Sequence, residues 1–220
     1  GADDYELAAV ITWGNLYLVA EDDDALNKEG ELAAFGEAAV PQLVLQNTID
    51  LDSITPAVTY YNAVSDAQAQ LLSGKASVAL LAEPAVTATI AKGRESGKEL
   101  KVIADLQQLY AEKNGTQADA GYPQASIFVK KGESAQLSSV LDAIETFANE
   151  TSGDEAALRA QIETAGVDVL GVPSADVAVN SWERQNIRYV SAQDARSDLA
   201  QFAEIFGIEV DLDALLMEAQ

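Results

Sequence analysis

The sequence contains no histidine, no cysteine, one methionine, and only 13 lysines and arginines against 36 aspartates and glutamates in 220 residues. Without His and Cys there can be no Ser-His-Asp triad, no cysteine nucleophile, no imidazole or thiolate zinc site and no disulfide framework. Any chemistry falls to carboxylates, hydroxyls, amides and a few cations. The shortage of basic residues leaves a net charge of -23. That speaks against nucleic acid and anionic membrane surfaces as partners, since phosphate binding depends on Lys and Arg. Long apolar runs are missing too, and none approaches the roughly 18 to 20 residues of a membrane span, so no transmembrane segment is expected. The first residues, Gly1-Ala2-Asp3-Asp4, carry neither a basic n-region nor an apolar h-region.

The rest of the composition is ordinary. Hydrophobic residues make up 48% and charged residues 22%, so the acidity belongs to the surface of a folded protein and is no sign of disorder. The length suits one large domain or two lobes of about 100 residues each.

Leu7 to Val19 reads as two strands meeting at a bend, Gly14-Asn15. Glu21-Asp22-Asp23-Asp24 lacks the spacing of a calcium loop and reads as a solvated turn. Then come a strand at 31–35, a helix at 39–47 with Pro41 in its first turn, a strand at 57–61 and a helix at 66–72 capped by Ser65 and ended by Gly74. A strand at 76–81, a helix from Pro84 to Ala91 and a strand at 100–104 follow. This alternation predicts a parallel sheet with helices on its faces. Beyond loops at 93–97 and 113–121 lies a strand at 125–131. An amphipathic helix carries Leu137, Val140, Leu141, Ile144 and Phe147, with Ser134 as its cap, and another spans 155–164. Residues 167–172 and 187–190 read as extended, 173–179 as a helical turn, and Ala195, Leu199, Phe202 and Phe206 share one face of a last helix.

Several motifs fail on inspection. Gly74-Lys75 lacks the earlier Gly and the following Ser or Thr of a phosphate loop, and no Ser-x-x-Lys occurs. With 36 acids, chance carboxylate pairs are common, so no particular pair points to hydrolysis. Three segments carry more. Gly36-Glu37-Ala38-Ala39 joins a strand to a helix start, where backbone N–H groups can hold an anion; a Gly that only permits a tight turn is the alternative. Trp13-Gly14-Asn15 combines an aromatic face, a bend and an amide, as small-molecule sites do, with core packing of Trp13 as the alternative. Gly121-Tyr122-Pro123-Gln124 fits a hinge or a plain turn.

Taken in order, Thr12 to Val19, Gly36 to Leu45, Leu71 to Pro84 with its Glu83-Pro84, Gly121 to Lys131, and Asn186 to Val190 resemble the extracytoplasmic solute-binding proteins of ABC transporters. The branch is the type II periplasmic-binding fold that includes nitrate, sulfonate, taurine and thiamine-pyrimidine-precursor binders. The resemblance implies an α/β protein of two lobes with mostly parallel sheets flanked by helices. Residues 1–20 would be the first-lobe crossing segment, 21–121 the second lobe, and 122–220 the return to the first lobe. It also implies a small organic solute held in an interlobe cleft, hinge closure, a permease as partner, no catalysis, no metal and no cofactor. The ligand-binding positions would be Trp13, Gly14, Asn15, Gly36, Glu37, Ala38, Ala39, Glu83, Tyr122 and Gln124. Location would be extracytoplasmic, as a cell-surface lipoprotein or in the periplasm.

Family members begin with a strand-helix-strand-helix-strand unit that has no counterpart here, so the resemblance implies an incomplete first lobe with an exposed sheet edge able to pair in a homodimer. Two alternatives stay open: a truncated or regulatory module that binds a protein partner, and a carboxylate-dependent hydrolase. A related enzyme branch implies His and Cys residues that this chain lacks.

Overall fold

The computed structural model describes residues 3–117, 120–150 and 153–218. Eight strands are found among them: β1 (Tyr5–Thr12), β2 (Leu16–Ala20), β3 (Glu31–Phe35), β4 (Ala57–Tyr61), β5 (Val78–Ala82), β6 (Lys101–Asp105), β7 (Ala125–Lys130) and β8 (Ile187–Ser191). The helices are α1 (Val40–Thr48), α2 (Val64–Ser73), α3 (Ala85–Glu95), α4 (Leu106–Asn114), α5 (Ser134–Asn149), α6 (Glu155–Ala165), α7 (Val167–Leu170), α8 (Ala175–Ser181), α9 (Arg196–Phe206) and α10 (Leu212–Leu215). They fall into two compact units. Unit 1 comprises 1–14, 122–166 and 186–220, and unit 2 comprises 15–121 and 167–185.

Unit 2 is built on a five-stranded sheet of order β4-β3-β5-β2-β6. β3 is parallel to β4 and β5, while β2 runs antiparallel to β5 and β6. Four strands therefore share one direction, as the helical crossovers between them require, and β2, which enters from outside that alternation, is the exception. β2 is Leu-Tyr-Leu-Val-Ala with every residue buried, as a strand covered on both faces must be. Tyr17, Val19, Ala33, Ala79 and Leu81 pack on Ala67 and Leu71 of α2 and Val86 of α3. The alternate residues Leu18, Leu32 and Leu80 are fully buried on the other side, where α1 supplies Val44 and Leu45 and α4 supplies Leu106 and Tyr110. Inside α3, Gly93 is required by a close approach: a Cβ there would lie 2.7 Å from Leu100 Cδ1.

Unit 1 has a three-stranded antiparallel sheet of order β7-β1-β8. β1 is its centre, with Leu7 to Val10 buried. Leu7, Val10 and Trp13 pack against Ala192, Ala195 and Leu216 and against Leu199 of α9 and Leu212 of α10. On the other face Ala8 and Val129 meet Leu141 and Leu137 of α5. The Tyr122 ring stacks at 6.2 Å on Phe202, which in turn packs at 4.7 Å on Phe206.

Several sequence expectations differ from this structure. The chain passes between units after residues 14, 121, 166 and 185. The first passage comes before β2 and not after residue 20, because β2 pairs with β5 and β6. Residues 167–185, expected in the first lobe, belong to unit 2, where α8 packs on α3. Residues 167–170 are helical where an extended segment was expected. Ser65 and Ser134 are not caps: both lie inside their helices, and at α2 it is Asp66 whose carboxylate accepts the Ala63 N–H. α4 and α10 carry no strong apolar period of their own and were not anticipated. Each is started by an aspartate, Asp105 and Asp211, that accepts first-turn N–H groups.

Candidate functional site

In open α/β sheets ligands bind outside the carboxyl ends of the strands. In unit 2 that edge is made by the end of β3 with the turn 36–39, the end of β5 with Glu83, the end of β6 with Asp105, and, because β2 runs the other way, its beginning at Asn15. The register places them together: Leu16 pairs with Ala82 and Tyr17 with Asp105. Asn15 O accepts the Glu83 N–H at 3.1 Å, and Asn15 Nδ2 donates to Glu83 O at 3.3 Å. The buried Gln107 amide clamps the start of β2, accepting Leu16 N–H at 2.8 Å and donating to Leu16 O at 3.1 Å. Asn15 and Glu83, chosen from sequence, thus meet at one edge.

Glu83 is the buried centre of a network that reaches solvent at Arg184. Its side chain is 0% exposed and forms an ion pair with Arg184, whose Nε donates to Oε1 at 2.6 Å. Thr87 Oγ1 donates to the same oxygen at 2.9 Å, and Thr87 N–H donates to Oε2 at 3.0 Å, so the carboxylate also caps the first turn of α3. Arg184 Nη2 donates to Thr87 Oγ1 at 2.7 Å, and the Arg184 carbonyl accepts the Tyr17 hydroxyl at 2.9 Å. Burial first, then the charges of Asp105 and Glu83, push the Tyr17 hydroxyl well above the usual tyrosine range, which keeps it a donor. Both Glu83 oxygens have protein partners. Within the chain, the carboxylate expected at the ligand holds Arg184 and Thr87.

At the turn 36–39, Gly36 has φ 76° and Ala38 φ 58°. The anion-holding reading expects free N–H groups here, yet Ala38 N–H donates to Gln42 Oε1 at 2.6 Å and Ala39 N–H to Gly36 O at 3.1 Å, while Pro41 has none. Glu37, Ala38 and Ala39 are exposed. Beside them the Tyr60 hydroxyl is buried without a hydrogen-bond partner, and its pKa is raised by burial and then by the charge of Glu37.

The other expected positions lie in unit 1, where both rings are buried, as the core alternative for Trp13 expects. Trp13 is 2% exposed, donates Nε1–H to Arg188 O at 3.2 Å, and carries the Arg188 guanidinium 4.3 Å above its ring. Tyr122 is fully buried on Phe202, and its N–H donates to Trp13 O at 3.3 Å. Gly14 O accepts from Asn186 Nδ2 at 2.7 Å, and Gln124 N–H donates to Thr12 O at 3.0 Å. Among the described residues no group of three or more carboxylates is placed to hold a metal ion, and no helix is long and apolar enough to cross a membrane.

Sequence reasoning missed Arg184, Thr87 and Gln107. One signal was available: a glutamate directly after the apolar run Val78–Ala82 must find a cation or a full set of donors once buried. Which of the 13 basic residues supplies it is not encoded locally, since Arg184 lies 101 positions away.

No family model matches the sequence, and no curated protein matches it. Solved structures do. An ABC transporter protein from Parabacteroides distasonis superposes with TM-score 0.76 at 21% identity, covering 99% of this chain and 75% of that one. The periplasmic aliphatic sulphonate binding protein of Escherichia coli gives 0.61 at 14%, covering 98% and 70%. A protein from Bordetella bronchiseptica gives 0.57 at 13%, covering 98% and 72%. The fold is that of the ABC-transporter solute-binding proteins. The α/β architecture with helix-flanked sheets read from the sequence is therefore correct, and at these identities the likeness is one of fold.

Proposed function

We propose that this chain is a solute-binding component of an ABC importer, which captures a small organic solute outside the cell and hands it to a membrane permease without chemistry. The carrying observation is the fold shared with such proteins over 98–99% of the chain. The arrangement of Asn15, Gly36–Ala39 and Glu83 with its Arg184 along the carboxyl edge of one α/β sheet supports it. A thermal-shift screen against sulfonates, nitrate, pyrimidines and amino acids tests this. A ligand at 100 times its Kd adds about 2.7 kcal/mol to folding stability, which raises Tm by roughly 5 to 10 °C at this size. If no compound class gives a shift, solute capture is wrong.

A second reading, self-association, rests on β7, an outer strand of its sheet, with Phe128 51% exposed and Tyr5 of the neighbouring strand 46% exposed. Light scattering across a concentration series tests it, and a monomer at every concentration removes it.

A further inference from the structure

The Arg184 guanidinium is engaged on part of its perimeter only. Nε serves Glu83 and Nη2 serves Thr87, while the side chain keeps 39% exposure. A guanidinium has five N–H donors in one plane, so three are left over, and no other acceptor among the described residues takes one. The group is also fixed from several sides. Glu83, with a side chain 0% exposed, is itself held by Thr87, and the Arg184 carbonyl is held by Tyr17. A cation oriented this way, with unused donors, at the sheet edge where α/β folds bind ligands, is a preorganised fork for an oxyanion. The surrounding charge sharpens the point. A chain of net charge -23 repels anions at a distance, so recognition of one needs a fixed local donor and not a general field.

We infer that Arg184 is the anchor for an oxyanion head group, carboxylate or sulfonate, on the captured solute, with Glu83 and Thr87 as positioning residues. The inference rests on the solute-capture reading. It reverses the role the sequence assigned to Glu83: the acid does not touch the ligand but aims the residue that does. A purely structural Arg184, clipping residues 167–185 onto unit 2, would make the same ion pair yet be indifferent to ligand charge.

The experiment uses matched probes, butane-1-sulfonate and pentanoate against their uncharged counterparts butyl methyl sulfone and methyl pentanoate, in calorimetry and thermal shift. The wild-type protein should bind at least one anion ten-fold or more tighter than its neutral partner. Arg184→Gln should abolish that preference, and because it strands a buried carboxylate, the double variant Glu83→Gln/Arg184→Gln provides a well-folded version of the same test. Thr87→Val should weaken the anion several-fold, and Thr87→Ser, which keeps the hydroxyl, should restore it. Equal affinity for charged and neutral probes, or an anion preference that survives in the double variant, overturns the assignment. Failure of the capture reading looks different: in that case no compound of the wider screen stabilises the wild type at all. A neutral compound that stabilises wild type and double variant alike leaves capture standing and removes Arg184 as anchor.

Discussion

The Glu83–Arg184 pair is lopsided, and that asymmetry has an energetic signature. Glu83 is fully buried while Arg184 keeps 39% of its side chain in solvent. Arg184→Met removes the cation and leaves a carboxylate without its counter-charge in unit 2. Such a break costs about 3 to 5 kcal/mol, and the lower end applies because Thr87 still donates twice to Glu83. Glu83→Gln leaves an arginine that can turn to water and an amide that can still accept from Thr87, for about 1 kcal/mol. Urea unfolding reads the difference, because the two tryptophans, Trp13 and Trp182, fall in different units. In a Trp13→Phe background, Trp182 fluorescence reports the segment that carries Arg184. With a urea slope of about 2 to 3 kcal/mol per molar, Arg184→Met should lower the midpoint by roughly 1 to 1.5 M and Glu83→Gln by less than half of that. The double variant should be close to Glu83→Gln alone, since removing both charges leaves nothing stranded. If Glu83→Gln costs as much as Arg184→Met, or the two add without coupling, the buried-carboxylate argument is refuted.

Three further outcomes are expected. Gly93→Ala should destabilise by about 1 to 3 kcal/mol, although alanine is the better helix former by about 1 kcal/mol, because the new methyl lies 2.7 Å from Leu100 Cδ1; Leu100→Val should recover much of the loss in thermal melts, and a stabilised Gly93→Ala would contradict the close approach. Stability should increase with sodium chloride up to a few hundred millimolar, since 36 acids against 13 bases repel one another and salt screens them; a flat or falling Tm would show that the acids are individually compensated. Tyr17 has a folded pKa raised above its unfolded value of 10.0. Above pH 10 the unfolded chain gives up that proton while the folded one keeps it, so the contribution is complete below pH 10 and is lost as pH climbs beyond it. Alkaline unfolding of Tyr17→Phe should accordingly be less steep in pH than that of the wild type.

Much of the fold was legible in the sequence. The apolar runs at β2, β3 and β5 are so continuous that only strands covered on both faces accommodate them. Gly74 marked the end of α2, and Pro41 lies in the first turn of α1. The α/β class and the resemblance followed from that order. Failures came where neighbours outside the local window decide. Residues 167–170 are helical within the segment that docks on unit 2. α4 is short, and much of what fixes it is long-range, with Gln107 clamped on Leu16.

The candidate site was legible to a lesser degree. Asn15 and Glu83 were found by position and do meet, since each follows from where a strand begins or ends. Trp13 stands out in the sequence for an aromatic face beside a bend, with core packing as the alternative, and Tyr122 for its place in a hinge or turn; the structure buries both rings, a use of a large aromatic that composition does not distinguish from ligand contact. Two N–H groups of the 36–39 turn, those of Ala38 and Ala39, are spent on Gln42 and Gly36 O, partners that no rule for helix starts anticipates.

By itself the sequence determined which segments fold as strands and helices and what chemistry the protein lacks the means to do. Hydrophobic period fixes which segments are strands and helices, because burial of a face is a local pattern, and the absence of His and Cys removes whole classes of chemistry in advance. Only the tertiary structure decided which charge answers Glu83. A buried carboxylate must be paired wherever the chain can bring a cation, and the one that arrives, Arg184, comes from 101 residues away along a segment that leaves unit 1, packs on unit 2 and returns. Pairing of that kind is set by distance in space, and distance along the chain carries no information about it.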